Sequence, residues 1–80
     1  MELWKKQLRK IPKDSRDRIF AALLLLRSRD FRAVDRVQLK GYQHIYRIRV
    51  GNYRIIYFDD GERMIIKAIP RRDESTYRNF

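Results

Sequence analysis

The sequence has no cysteine and a single histidine among its 80 residues. A disulfide framework, a thiolate zinc site and any multi-histidine metal cage are excluded on that count. Three glycines and two prolines leave no stretch that reads as a linker, and no repeat or low-complexity segment occurs, so residues 1–80 read as one domain. Long apolar runs are missing as well. The longest, Ile19 to Leu26, has eight residues, where a bilayer needs ~20, so no membrane association is expected. The opening MELWKKQLRK puts charge where a secretory leader needs an apolar core, and the expected location is cytoplasmic. Acidic residues are scarce: 10 Asp+Glu against 20 Lys+Arg give a formal net charge of +10. Against these gaps, 44% of the residues are hydrophobic, too many for a disordered basic tail. The chain reads as a small basic domain whose charge points to a polyanion or to an acidic protein that neutralises it.

The first third has helical periodicity. Trp4, Leu8 and Ile11 recur on one stripe, and Pro12 ends it by pushing the residue before it out of the helical region. Asp14 or Ser15 is the expected cap of a second helix. Its buried face carries Ile19, Ala22, Leu23 and Leu26, while Arg16, Arg18, Arg27 and Arg29 are expected to meet water. Val34 to Leu39 carries a weak extended signal. From Ile45 the period becomes two, and Ile45–Val50, Tyr53–Phe58 and Arg63–Ile69 read as strands. Gly51-Asn52 and the Asp59–Glu62 segment supply the turns. The expected fold class is α+β: an N-terminal helical hairpin packed on one face of an antiparallel meander sheet of three to four strands.

A two-residue loop at Gly51-Asn52 sets Val50 against Tyr53, and opposite residues share a face. Tyr46, Ile48, Val50, Tyr53, Ile55 and Tyr57 then face the core, while Arg47, Arg49, Arg54 and Ile56 face the other way. A turn at Asp60-Gly61 adds Met64, Ile66 and Ala68 to the core face and Ile65, Lys67 and Ile69 to the cationic one. Arg49, Arg54 and Lys67 would form a row, with Arg71 following by parity. Like charges placed opposite one another destabilise a sheet, so the row makes sense if an anion covers it. The tail PRRDESTYRNF adds Arg71, Arg72, Tyr77 and Arg78, a mixture of guanidinium and ring suited to phosphate and unpaired bases. No phosphate loop, nucleophile elbow or magnesium-binding carboxylate cluster is present. No metal or cofactor is therefore expected, Asp59, Asp60 and Glu62 read as turn residues, and His44 receives no role.

The stretch YRIRVGNYRIIY, with LRKIPKDSRDRI before it and IPRRDESTYR after it, resembles the RelE/ParE superfamily of toxins from type II toxin–antitoxin pairs, most closely its RelE-like branch. The resemblance implies a toxin that inhibits translation. It would enter the ribosome and cut messenger RNA without metal, through attack of a 2′-hydroxyl on the adjacent phosphate to leave a 2′,3′-cyclic phosphate. It implies three partners: the ribosome, messenger RNA and an acidic cognate antitoxin. The family's basic positions fall on Arg47, Arg49, Arg54 and Arg71 and its tyrosine on Tyr77, which makes these five the expected catalytic set. Lys67, Arg72 and Arg78 are expected to bind nucleic acid. Arg72 is the second match for the late basic position.

Roles follow from the chemistry. A phosphorane gathers negative charge that fixed guanidinium groups stabilise, Arg54 first and Arg49 beside it. Arg71 would sit near the leaving 5′-oxygen, and Tyr77 would stack on a base or take the 2′-hydroxyl proton. The sequence departs from the family twice. Arginine stands at 47 and 49, where some RelE toxins carry lysine, and arginine is no proton acceptor. The strand that usually precedes the helical hairpin is also missing. Two other readings stay open, a ParE-type poison of DNA gyrase and a non-catalytic basic module that grips RNA or the antitoxin.

Overall fold

The computed structural model describes residues 3–71. Helices α1 (Leu3–Arg9) and α2 (Lys13–Arg27) are followed by a short 3-10 turn, Phe31–Ala33. The strands β1 (Arg36–Gln38), β2 (Ile45–Val50), β3 (Tyr53–Asp59) and β4 (Met64–Ala68) complete the chain. They form one antiparallel sheet in the order β1-β2-β3-β4, so the weak extended signal at 34–39 is a true edge strand. The helices cover one face of this sheet, and among the described residues no strand precedes α1.

Local chemistry explains the helix ends. The last turn of α1 tightens, with Lys10 N–H donating to Gln7 O and Ile11 N–H to Leu8 O. Pro12 then takes the N-cap position of α2 and its carbonyl accepts from Arg16 N–H at 2.8 Å. No side chain caps this helix. Asp14 and Ser15 lie inside the first turn, two and three residues past the cap position, where Asp14 still complements the helix dipole. The C-terminus is a Schellman closure: Arg29 N–H reaches Leu26 O and Asp30 N–H reaches Leu25 O. The left-handed residue is Arg29, at φ 59, where glycine is the usual choice.

The core lies between helices and sheet. Ile19, Ile48, Ile55 and Tyr57 are completely buried, joined by Leu8, Ile11, Ala22, Leu26 and Ile69. A second, smaller cluster sits on the other face, where Ile45, Ile56 and Ala68 are covered by Leu39, Tyr42 and Phe58. The loop between β1 and β2 thus folds over part of the face that carries Arg47, Arg49 and Arg54.

The β2–β3 register is the expected one, Val50 opposite Tyr53 and Arg49 opposite Arg54. Gly51 takes φ 59 and Asn52 does not take a positive φ, the pattern of a type II′ turn. The β3–β4 turn is centred one residue later than expected. Asp60 N–H donates to Arg63 O, and Gly61 has φ 93, so Phe58 faces Ile65 and not Arg63. The slide is two residues, which keeps Met64 and Ile66 on the core side.

The parity then breaks. Tyr57 pairs with Ile66, but Ile56 pairs with Ala68, leaving Lys67 as the extra residue of a β-bulge. Beyond it every assignment inverts. Ala68 joins the small cluster on the open face and Ile69 enters the main core. Arg71 bridges Tyr53 on the helix side.

Candidate nucleic-acid interface

Arg47, Arg49 and Arg54 share the face of the sheet away from the helices, as expected from the hairpin. Arg54 N–H donates to Pro70 O at 2.9 Å and so points toward the strand-β4 side. The Arg49–Arg54 pair is therefore of the non-hydrogen-bonded kind, in which Cα atoms stand only about 4.5 Å apart and side chains crowd. Arg49 is exposed and Arg54 half-buried. Arg47 is half-buried as well, its side chain 15% exposed and 3.9 Å from the Asp35 carboxylate. It lies between Val37 on β1 and Ile56 on β3. The three cations occupy the half of the face next to the Gly51-Asn52 turn. The loop carrying Leu39 and Tyr42 shields the other half.

A further cation approaches this end of the molecule. A side chain placed at Gly51 would come within 3.6 Å of the Arg18 guanidinium, so Arg18 of α2 reaches the hairpin turn. Arg18 is exposed, as the helical pattern predicts, and nothing in that pattern ties residue 18 to residue 51.

Two expected members of the row are displaced. Lys67 is exposed but occupies the bulge, out of line with Arg49 and Arg54. Arg71 is on the opposite side of the sheet from Arg54, in a groove lined by Gln7, Lys10, Ile11, Tyr53, Ile69 and Pro70. The expectation that it continues the cationic row is corrected by the single extra residue at 67. Arg72, Tyr77 and Arg78 lie outside the described residues. Among the described residues no three His, Asp or Glu side chains converge on one point. No helix there is long and apolar enough to cross a membrane.

A second charged cluster, missed in the sequence, lies on the helix face. Asp59 accepts from both terminal nitrogens of Arg29 at 3.1 Å and from Arg36 at 3.0 Å, and it also accepts the Gly61 N–H. Burial would raise the Asp59 pKa. The Gly61 hydrogen bond and the two guanidinium groups outweigh it and hold the carboxyl below its ordinary value. Arg36 is sandwiched between rings, its guanidinium carbon 4.0 Å from the Phe31 centroid and 3.8 Å from that of Tyr46. Burial pushes the neighbouring Tyr57 phenol up to about 12, against the pull of Arg36. Asp59 keeps the turn role expected of it by accepting the Gly61 N–H, and the ion pairs are what the sequence pattern does not show. Asp60 fills the turn role too, accepting from Glu62 and Arg63 N–H.

Residues 2–76 match the family model of the ParE toxin of type II toxin–antitoxin systems, parDE. The chain belongs to this family. No curated protein and no solved structure matches it. The match places the protein in the RelE/ParE superfamily as a toxin of a type II pair and implies an antitoxin as partner. For a ParE-family toxin the two cationic clusters differ in kind. In the one around Asp59 two guanidinium groups share a buried carboxylate, while Arg49 and Arg54 stand together on the face away from the helices.

Proposed function

We propose that this ParE-family toxin is a ribosome-dependent mRNA endoribonuclease that works without metal. The observation that carries the reading is the Arg49–Arg54 pair, crowded across β2 and β3 with Arg47 alongside. Two like charges in that position weaken the sheet. They are suited to a phosphodiester whose negative charge grows on the way to the transition state. In the proposed reaction the 2′-oxygen bonds to phosphorus, the bond from phosphorus to the 5′-oxygen breaks, and a 2′,3′-cyclic phosphate remains. Arg54 and Arg49 stabilise the non-bridging oxygens. Neither can accept the 2′-hydroxyl proton, so Tyr77 or a group of the ribosomal RNA takes it. The 5′-oxygen leaves with a proton from water. Lys67, Arg72 and Arg78 would bind flanking phosphates.

A second reading, a poison of DNA gyrase, is favoured by two observations: the family model itself, and Arg71 lying across the sheet from Arg54. A toxin that grips its target without cutting would not need Arg71 and Arg54 on one face. Primer extension on messenger RNA in a purified translation system separates the readings. Cuts that need ribosomes and vanish in Arg54→Ala support the ribonuclease. Intact message together with gyrase-dependent DNA breaks in a parallel supercoiling assay overturns it in favour of the gyrase poison.

A further inference from the structure

Strand β4 is the outer strand of the sheet, and its hydrogen-bonding parity is fixed by the turn before it. Asp60 and Arg63 form a bonded pair. Bonded and non-bonded pairs alternate along an antiparallel ladder, so Phe58–Ile65 is bonded while Asp59–Met64 and Tyr57–Ile66 are not. The N–H and C=O groups of Met64 and Ile66 therefore point away from β3. Among the described residues no strand lies on that side. The open stretch has a defined end: Lys67 bulges, and Ile69 N–H donates to the Gln7 side-chain oxygen.

Beside this edge runs a groove of about 250 Å³ lined by Trp4, Leu23, Leu26, Arg27, Met64 and Ile66. It lies on the helix side, where the side chains of Met64 and Ile66 point. On the other side of the strand Ile65 is 42% exposed, between exposed Arg63 and Lys67. A strand added here would place alternate side chains in the apolar groove and the others beside those two cations.

Charge decides the occupant. Arg27, Arg63 and Lys67 surround the edge, with Lys5 over the Trp4 ring. Among the described residues the nearby acids are Glu62 in the turn and Asp59, which is bound to Arg29 and Arg36. A second copy of the chain is a poor fit. Antiparallel self-pairing centred on Ile65 would set Arg63 of each copy against Lys67 of the other, and each copy carries a net charge of +10.

We propose that the outer edge of β4 is a strand-addition site for an acidic, alternating segment of the antitoxin. The segment pairs with the main chain of Met64 and Ile66, fills the Trp4–Leu23–Leu26 groove with apolar side chains, and sets its acids against Arg63 and Lys67. The proposal rests on the antitoxin that the family implies and not on the ribonuclease reading, which the cleavage assay tests independently.

The test is amide hydrogen exchange by NMR on the full chain, alone and in complex with the antitoxin encoded beside its gene. In the free chain Met64 and Ile66 amides exchange quickly, and in the complex they slow by about 100-fold. Ile66→Pro removes an outward donor, a substitution that edge strands tolerate, and trims the side chain that lines the groove. It should weaken the complex at least tenfold while leaving the circular dichroism spectrum of the free chain intact. Should that variant not fold, Arg63→Glu with Lys67→Glu is the second probe, with the same tenfold loss expected. A tight complex whose Met64 and Ile66 amides exchange as in the free chain overturns the site alone. So does a free chain that is already dimeric with both amides protected. Absence of any complex overturns the site and its antitoxin premise together.

Discussion

Arg29 ends helix α2 in a left-handed conformation and, from that position, grips both carboxylate oxygens of Asp59, 30 residues further along the chain. The backbone strain and the ion pair belong together. Glycine would close the helix more comfortably, but only a long cationic side chain ties α2 to the end of β3. Asp59 is 3% exposed, so removing its charge leaves the half-buried Arg36 without its anion. Asp59→Asn is expected to cost about 3 kcal/mol. Arg29→Gly should cost less, since relief of strain offsets roughly 1 kcal/mol of the loss. Urea denaturation of the two variants checks the order.

The same cluster sets the pH limits of the fold. The folded Asp59 carboxyl is held below its ordinary value of 3.8, so its stabilising contribution is complete above that value and is lost as pH falls through the folded pKa. Tyr57 behaves in the opposite sense. Its phenol is raised from 10.0 to about 12, so its contribution is complete below pH 10 and disappears between the two values. Two pKa units correspond to about 2.7 kcal/mol. A thermal melt series from pH 9 to 12 should show a steep loss for the wild type and a shallower one for Tyr57→Phe.

Arg54→Ala should separate function from folding. If the open face binds phosphate in the transition state, the substitution lowers message cleavage by 100-fold or more. It should leave stability unchanged or raise it by a few tenths of a kcal/mol, because it removes a like-charged cross-strand pair. Arg49→Ala should show the same sign with a smaller kinetic effect. Single-turnover cleavage and denaturation of the same preparations provide both readings.

Arg71→Ala should affect cleavage far less than Arg54→Ala, by under about tenfold, because its bridge to Tyr53 places it on the helix side. A loss equal to that of Arg54→Ala would mean that the end of the chain turns back across the sheet on the ribosome.

The hairpin of β2 and β3 was legible because Gly51-Asn52 admits one short turn and the alternation on both sides admits one register. The three arginines of the open face followed from it, and so did the core positions from Tyr46 to Tyr57. The bulge at Lys67 was not legible. A strand pattern reads the same with or without an unpaired residue, and only the need to bury Ile69 reveals the break. The partners of Asp59 were hidden for another reason. They come from a helix end and an edge strand, joined across 30 and 23 positions, and nothing local in DDGE marks the first aspartate as different from the second. The shielding of Ile45 and Ile56 by Leu39 and Tyr42 belongs to a loop with no periodicity to read.

The bulge has a consequence for how this chain can change over generations. Residue 67 divides the end of the molecule into two stretches that obey opposite rules: before it even positions are interior, after it odd ones are. Deleting Lys67 would close the bulge and leave Ala68 opposite Ile56, Ile69 in the core and Arg71 beside Tyr53, whereas pairing Lys67 itself with Ile56 would turn Ile69 outward and carry Arg71 to the face of Arg54. A single codon loss at position 67 could thus straighten the strand without moving Ile69 or any arginine.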